Sequence, residues 1–188
     1  MKNKILQLKI SLTGSKPLIW RRFFVKSNIT FHLLHEIIQK VMGWGDYHLY
    51  EFTIDDVHIT DEETIMEALD DEEELEDSAK TKLEKFVNEE KQKILYEYDF
   101  GDGWEHNIIV EKILPDTGKL KFPVCVDGKN ACPPEDCGGL GGYYEFLDAI
   151  QNPNHPEHIQ MLNWIGGKFD PEEFNLEFIN LQLKNIKL

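Results

Sequence analysis

Residues Tyr96–His106 read YEYDFGDGWEH, and this stretch constrains the fold more than any other part of the chain. Eleven residues hold five aromatic or imidazole rings, four carboxylates and two glycines. Strand formers flank Gly101-Asp102-Gly103, and the glycines permit the positive φ that a tight reversal demands. Ile94–Phe100 and Trp104–Ile113 are therefore predicted to pair as an antiparallel hairpin. A three-residue loop would set Asp99 opposite Glu105, an unfavourable pairing of like charges. A two-residue loop would set Asp99 opposite Trp104 and Glu97 opposite His106. In either register Asp99, Asp102 and His106 are candidates to converge on a ligand, to bind a metal or to exchange protons, with Trp104 beside them.

The remaining elements follow from pattern. Ile5–Ser11 alternates and Leu18–Val25 is rich in strand formers, with Gly14-Ser15-Lys16-Pro17 between them, a second hairpin signal. Thr30 is placed to cap a helix over Phe31–Met42. Phe31, Leu34, Ile38 and Val41 form its buried stripe, Ile29 and Leu34 a hydrophobic staple, and Gly43 its end. His48–Ile54 reads as a strand turning at Asp55-Asp56. Short helices are predicted over Glu62–Leu69 and near Lys80–Val87. Lys121–Gly142 reads as a long irregular segment, followed by helices over Tyr143–Ile150 and His158–Ile165. Asp170-Pro171-Glu172-Glu173 carries the cap, first-turn proline and glutamate of a helix start, which predicts a last helix to Asn185. Strands dominate the first two thirds and helices the last. The fold class is α+β, one domain over residues 1–188, with a mostly antiparallel sheet and an N-terminal β-β-α-β order of β-grasp type.

Charge narrows the partners. The net charge is −15, but Asp55–Asp77 alone holds 13 acids and no Lys or Arg, leaving 22 acids against 20 bases elsewhere. Asp70–Asp77, DDEEELED, reads as a solvated acidic loop at about 70–78. Direct duplex DNA binding is disfavoured, because phosphate neutralisation needs clustered Lys and Arg and the only arginines are Arg21 and Arg22. No apolar run approaches the ~20 residues of a membrane span. The basic N-terminus alternates instead of forming a signal-type apolar block, so a cytoplasmic location is expected. Three cysteines without an export signal are expected to be reduced thiols.

Cys125–Gly142, CVDGKNACPPEDCGGLGG, is the second constellation. Glu135 and Asp136 follow a proline pair, and four glycines precede the helix. The pattern is neither GxGxxG nor a Walker loop, and its carboxylates oppose an anion, so a close-packed loop is favoured over a phosphate cradle. The spacing C-x6-C-x4-C would hold zinc only with outside ligands such as His106 or His155. Cys132 or Cys137 would need a nearby base to act as a nucleophile. No metal set is complete and no cofactor is identified. The ligand-binding candidates are Asp99, Asp102, Trp104, His106, Glu135 and Asp136. His35, between Phe31 and Ile38, reads as a hydrogen-bonded core histidine.

IWRRFFV (19–25), LHEIIQKVMGW (34–44), HLYEF (48–52), YEYDFGDGWEHNIIVE (96–111), ACPPEDCGGLGGYYEFL (131–147) and FDPEEFN (169–175) together resemble the plasmid pRiA4b ORF-3-like family. The acidic insert around Asp70 departs from it. The resemblance implies a link to mobile elements, and some relatives carry a resolvase label. A serine recombinase needs a nucleophilic serine among catalytic arginines, and this chain has four serines, two arginines and no basic tail. The label does not carry over, and the resemblance brings no catalytic residues. The reading is a non-enzymatic binding or interaction module, its unidentified ligand or protein partner contacting the Tyr96–His106 hairpin and the Cys-Gly loop. The alternative is a metal-assisted or acid/base hydrolase-like enzyme using Asp99, Asp102 and His106.

Overall fold

A computed structural model describes residues 4–67, 75–118 and 123–187. The chain runs β1 (Lys4–Leu12), β2 (Trp20–Lys26), α1 (Phe31–Met42), β3 (Tyr50–Ile54), β4 (Val57–Thr60), α2 (Glu62–Glu67), β5 (Leu75–Asp77) and α3 (Leu83–Phe86). It continues through β6 (Lys93–Tyr98), β7 (Trp104–Pro115), β8 (Val124–Lys129), α4 (Gly139–Gln151), α5 (His158–Trp164) and α6 (Leu176–Leu183). The strands form one eight-stranded sheet in the order β5-β4-β3-β6-β7-β1-β2-β8. Every pairing is antiparallel except β4 with β5, so the class is α+β as expected. The β-β-α-β order is present, but β6 and β7 stand between β1 and β3.

The period-2 alternation of the strands buries one face of the sheet. Leu8 and Ile10 of β1, Phe23 of β2, Ile108 and Val110 of β7, Ile94 of β6 and Phe52 of β3 are all inaccessible. Against them lies the stripe of α1, with Phe31 packed edge-on against Phe52 at 5.3 Å between ring centres. Each such side chain contributes about 1.5–3 kcal/mol by leaving water. The caps of α1 are those anticipated: the Thr30 side chain accepts from the Leu33 N–H, and Gly43 closes the helix at φ 96°.

Four expectations are corrected. The segment after Lys121 is not irregular throughout, since Val124–Lys129 pairs with β2 as an edge strand. The helix expected from Tyr143 begins at Gly139, within the glycine run. Asp170-Pro171-Glu172-Glu173 forms a turn, its Glu173 N–H bonded to the Asp170 carbonyl. The last helix starts instead after Asn175, whose side chain accepts from the Phe178 N–H. Of the acidic run, residues 68–74 lie outside the described residues, and Leu75–Asp77 is strand β5, where Asp77 pairs with Lys80 and Glu76 with Lys85.

Candidate functional site

The β6–β7 hairpin adopts neither anticipated register. Tyr98 faces Trp104, Glu97 faces Glu105 and Tyr96 faces His106, which leaves Asp99–Gly103 as a five-residue connection. Asp99 causes this. It sits at φ 57°, and its carbonyl accepts from the Gly103 N–H at 2.7 Å. Its Oδ1 accepts from the N–H groups of Gly101 and Asp102 at 3.0 and 3.3 Å. The side chain thus closes the turn itself, a habit of aspartate. The opposed Glu97 and Glu105 fall on the sheet's other face, where burial first and then the charges of Glu105 and Glu51 hold Glu97 above the usual carboxylate range.

The hairpin tip and the Cys-Gly loop meet. Asp102 Oδ2 accepts from the Gly138 N–H at 3.1 Å, at the start of α4, where a carboxylate complements the helix dipole. A Cβ on Gly139, itself at φ 65°, would lie 2.4 Å from the Asp102 carbonyl oxygen, and one on Gly142 would lie 1.8 Å from that of Cys137. The glycines serve close approach, and Asp102 fills the place a phosphate would take.

Glu135 is likewise engaged, accepting from the Gly45 N–H at 2.9 Å and from the Tyr98 hydroxyl at 2.6 Å. Trp44 Nε1 donates to the Pro133 carbonyl. These bonds draw the 43–49 connection onto the same junction and bring in His48, which sequence reasoning had placed in a strand. His48 Nε2 lies 3.3 Å from Asp136 Oδ1 and 3.6 Å from Asp99 Oδ2. The three ligating atoms fall within 4.8 Å of one another. In the sequence His48 opens the HLYEF stretch (48–52), which carries no chemical assignment. Its position follows from the pairing of Tyr50 with Tyr98, which carries residues just before β3 past the end of β6.

Two candidates point elsewhere. Trp104 and His106 are each 1% exposed, within the core. His106 Nδ1 lies 3.3 Å from the Tyr96 carbonyl oxygen, and its ring meets that of Trp44 edge-on. Burial pushes its pKa down to about 4, so the ring is neutral at pH 7. Among the described residues it makes no ion pair or hydrogen bond with Asp99 or Asp102, and His48 is the imidazole beside Asp99. The three thiols are free. Burial, reinforced by Asp102 and Asp136, pushes Cys137 up to about 12, and burial also raises Cys125 and Cys132. Thiols so disfavoured as thiolates are poor nucleophiles.

The 43–49 connection is held by a closed polar circuit under α1. The Tyr96 hydroxyl bonds His35 Nδ1 at 2.8 Å and accepts from Gln39 Nε2 at 3.1 Å. His35 Nε2 meets Asp46 Oδ1 at 2.6 Å, and the Asp46 N–H returns to Gln39 Oε1. Burial holds His35 below its usual pKa although Asp46 opposes the shift, and the His35 bond holds Asp46 down. A neutral ring donating to an ionised Asp46 satisfies both. His35 is thus the hydrogen-bonded core histidine anticipated.

Beyond Asp136 the junction opens into a groove of about 590 Å³. Phe146, Ala149, Met161 and Trp164 line it together with Asp136, Glu145 and Glu157, and no Lys or Arg does. Among the described residues none of Asp99, Asp102, Glu135 and Asp136 is paired with a Lys or Arg. No helix of the described residues is long and apolar enough to cross a membrane.

The chain is 36% identical over 180 residues to the uncharacterized protein y4hQ of Sinorhizobium fredii (strain NBRC 101917 / NGR234), covering 94% of this chain and 89% of that one. The crystal structure of MM3350, a protein of unknown function from Methanosarcina mazei Go1, is similar with a TM-score of 0.82 and 37% identity, covering 94% of this chain and 98% of that one. The model of the plasmid pRiA4b ORF-3-like protein family matches residues 4–178. The chain belongs to that family.

Proposed function

We propose that the protein is a non-enzymatic binding module that captures a basic, partly apolar segment of a partner protein in the groove between the Cys-Gly loop, α4 and α5. The observation that carries this reading is the groove's lining, in which an apolar floor with Trp164 46% exposed is combined with three carboxylates and no cation. Buried apolar area supplies affinity to such a segment, and the carboxylates select lysine or arginine and speed encounter. The acid/base alternative loses His106, which lies in the core, and would have to use His48 beside Asp99 instead.

The test uses an amphipathic peptide of alternating leucine and lysine, titrated against the full chain while Trp164 fluorescence is followed. Glu145→Lys and Glu157→Lys are expected to weaken binding at least tenfold each. The same change at Glu84, which lines a different depression, should have little effect. Equal weakening by all three would reduce the binding to net charge and remove the reading.

A further inference from the structure

We infer that His48, Asp99 and Asp136 form a binding site for one divalent transition-metal ion, of the zinc, manganese, cobalt or ferrous class. The inference adds a ligand to the junction described above and shares Asp136 with the proposed groove. The three donors come from three segments far apart in sequence: the connection after α1, the hairpin tip and the Cys-Gly loop.

The spacing is the first argument. Charge-assisted hydrogen bonds between an imidazole and a carboxylate run at about 2.7–2.9 Å, and the shorter separation here is 3.3 Å. Ligand atoms about 2.0–2.2 Å from a tetrahedral ion are separated by roughly 3.3–3.6 Å, and His48 Nε2 stands 3.3 and 3.6 Å from the two carboxylate oxygens. The second argument is satisfaction. His48 Nε2 is shielded from solvent and, among the described residues, makes no hydrogen bond. Asp99 is 8% exposed, and its Oδ1 is consumed by the turn amides. That leaves Oδ2, 3.6 Å from His48 Nε2, without a hydrogen-bond donor among the described residues and free to coordinate a cation.

Electrostatics and support agree. Two carboxylates and a neutral imidazole match a divalent charge. One nitrogen and two oxygens suit borderline ions better than calcium, which takes 6–8 oxygens. Two of the donors, Asp99 and His48, are also positioned by fixed neighbours, as metal ligands are. The turn amides hold Asp99, the Asp46–His35–Tyr96–Gln39 circuit holds the His48 connection, and the Tyr98 ring meets His48 edge-on at 5.7 Å. Asp136 stands at φ 57° beside the pinned Glu135, and its side chain is 71% exposed. Three protein ligands leave a coordination position free on that solvent side.

The experiment takes tag-free full-length protein, removes metal with a chelator and titrates Zn²⁺ and Co²⁺ separately. One equivalent should bind, raise the melting temperature, and give Co²⁺ visible absorption of low symmetry. Asp136→Asn, at an exposed position, and His48→Gln should each lower Zn²⁺ affinity at least tenfold while retaining the wild-type circular dichroism. A Cys132→Ser/Cys137→Ser variant should bind as wild type does. No stoichiometric ion, or binding insensitive to His48→Gln and Asp136→Asn, overturns the inference. Binding lost in the cysteine variant overturns it too. The leucine–lysine peptide separates the two proposals, because its groove carboxylates Glu145 and Glu157 are not metal ligands. Peptide binding without metal binding removes the metal site alone, and metal binding without peptide binding removes the groove reading alone.

Discussion

At the scale of the residue, burial decides what each titratable group can do. His106 is enclosed by Trp44 and Tyr96, and its pKa falls from 6.5 to about 4. A histidine whose folded pKa is depressed contributes stability that is complete above its unfolded value. That stability is lost as pH falls toward the folded one. The window is therefore pH 6.5 down to about 4, and the difference is worth on the order of 3 kcal/mol. Urea denaturation of the wild type should weaken across that window. His106→Phe, which cannot titrate, should show a flatter profile there even if its stability at pH 7 is lower. A wild-type slope unchanged by the substitution would mean that His106 opens to solvent before it charges. The same logic explains what was legible at this scale. Asp99 and Asp136 could be proposed as candidates because carboxylates clustered at a turn and beside a proline pair are unusual. His106 was misassigned because pattern cannot tell the face of a strand that meets solvent from the face that meets a helix. His48 was missed because its partners arrive through a pairing of β3 with β6 some forty residues away.

At the scale of the element, close approach sets the sequence. The hairpin tip lies against the first turn of α4 with no room for a side chain at Gly139, where a Cβ would lie 2.4 Å from the Asp102 carbonyl oxygen at a φ of 65°. Gly139→Ala must either separate the two elements or distort both. We expect a loss of about 2–4 kcal/mol in urea unfolding, combining overpacking with left-handed strain. Gly141→Ala, in the same helix and with nothing within 4 Å of its Cβ, should be neutral or slightly stabilising. Equal effects would show that helix propensity, not contact with the hairpin, governs the glycine run. Elements held together by local rules were readable in advance: the β1–β2 and β6–β7 hairpins, and α1 with both of its caps. Those set by distant partners were not. β8 contains Asp127 and Gly128, poor strand formers, and exists because β2, about a hundred residues earlier, offers it an edge. The start of α4 was hidden because glycines that permit contact look, in a sequence, like glycines that permit a loop. The proline after Asp170 suggested a helix start, but the Asn175 side chain supplies the cap.

At the scale of the molecule, the question is what joins the helical last third to the sheet, and Arg21 answers it. It is 3% exposed and has no carboxylate partner among the described residues. Its Nε donates to the carbonyl of Val41 near the end of α1, where the helix dipole favours a cation. Its Nη1 donates to the carbonyls of Trp20 and Lys129, and its Nη2 reaches the Cys132 sulfur. The Phe174 ring stacks on the guanidinium at 5.0 Å. One side chain therefore links β2, α1, β8, the Cys-Gly loop and the approach to α6. A buried charge held by carbonyls, a thiol sulfur and a ring, with no carboxylate partner among the described residues, is expensive to place, but removing it strands the acceptors that it satisfies. Arg21→Ala should cost about 3 kcal/mol or more, and Arg21→Met, which refills the volume without the donors, should recover only part. Far-ultraviolet circular dichroism and tryptophan fluorescence should move together through one transition in the variant as in the wild type, since the severed contacts run through the common core. If fluorescence from Trp164 fell first, with the sheet signal intact, the last third would be a separate cooperative unit docked on the sheet. The acidic junction would then be an interface between two bodies. A single transition instead makes the junction part of the core's own geometry, and its carboxylates would be held in place by the same free energy that folds the sheet.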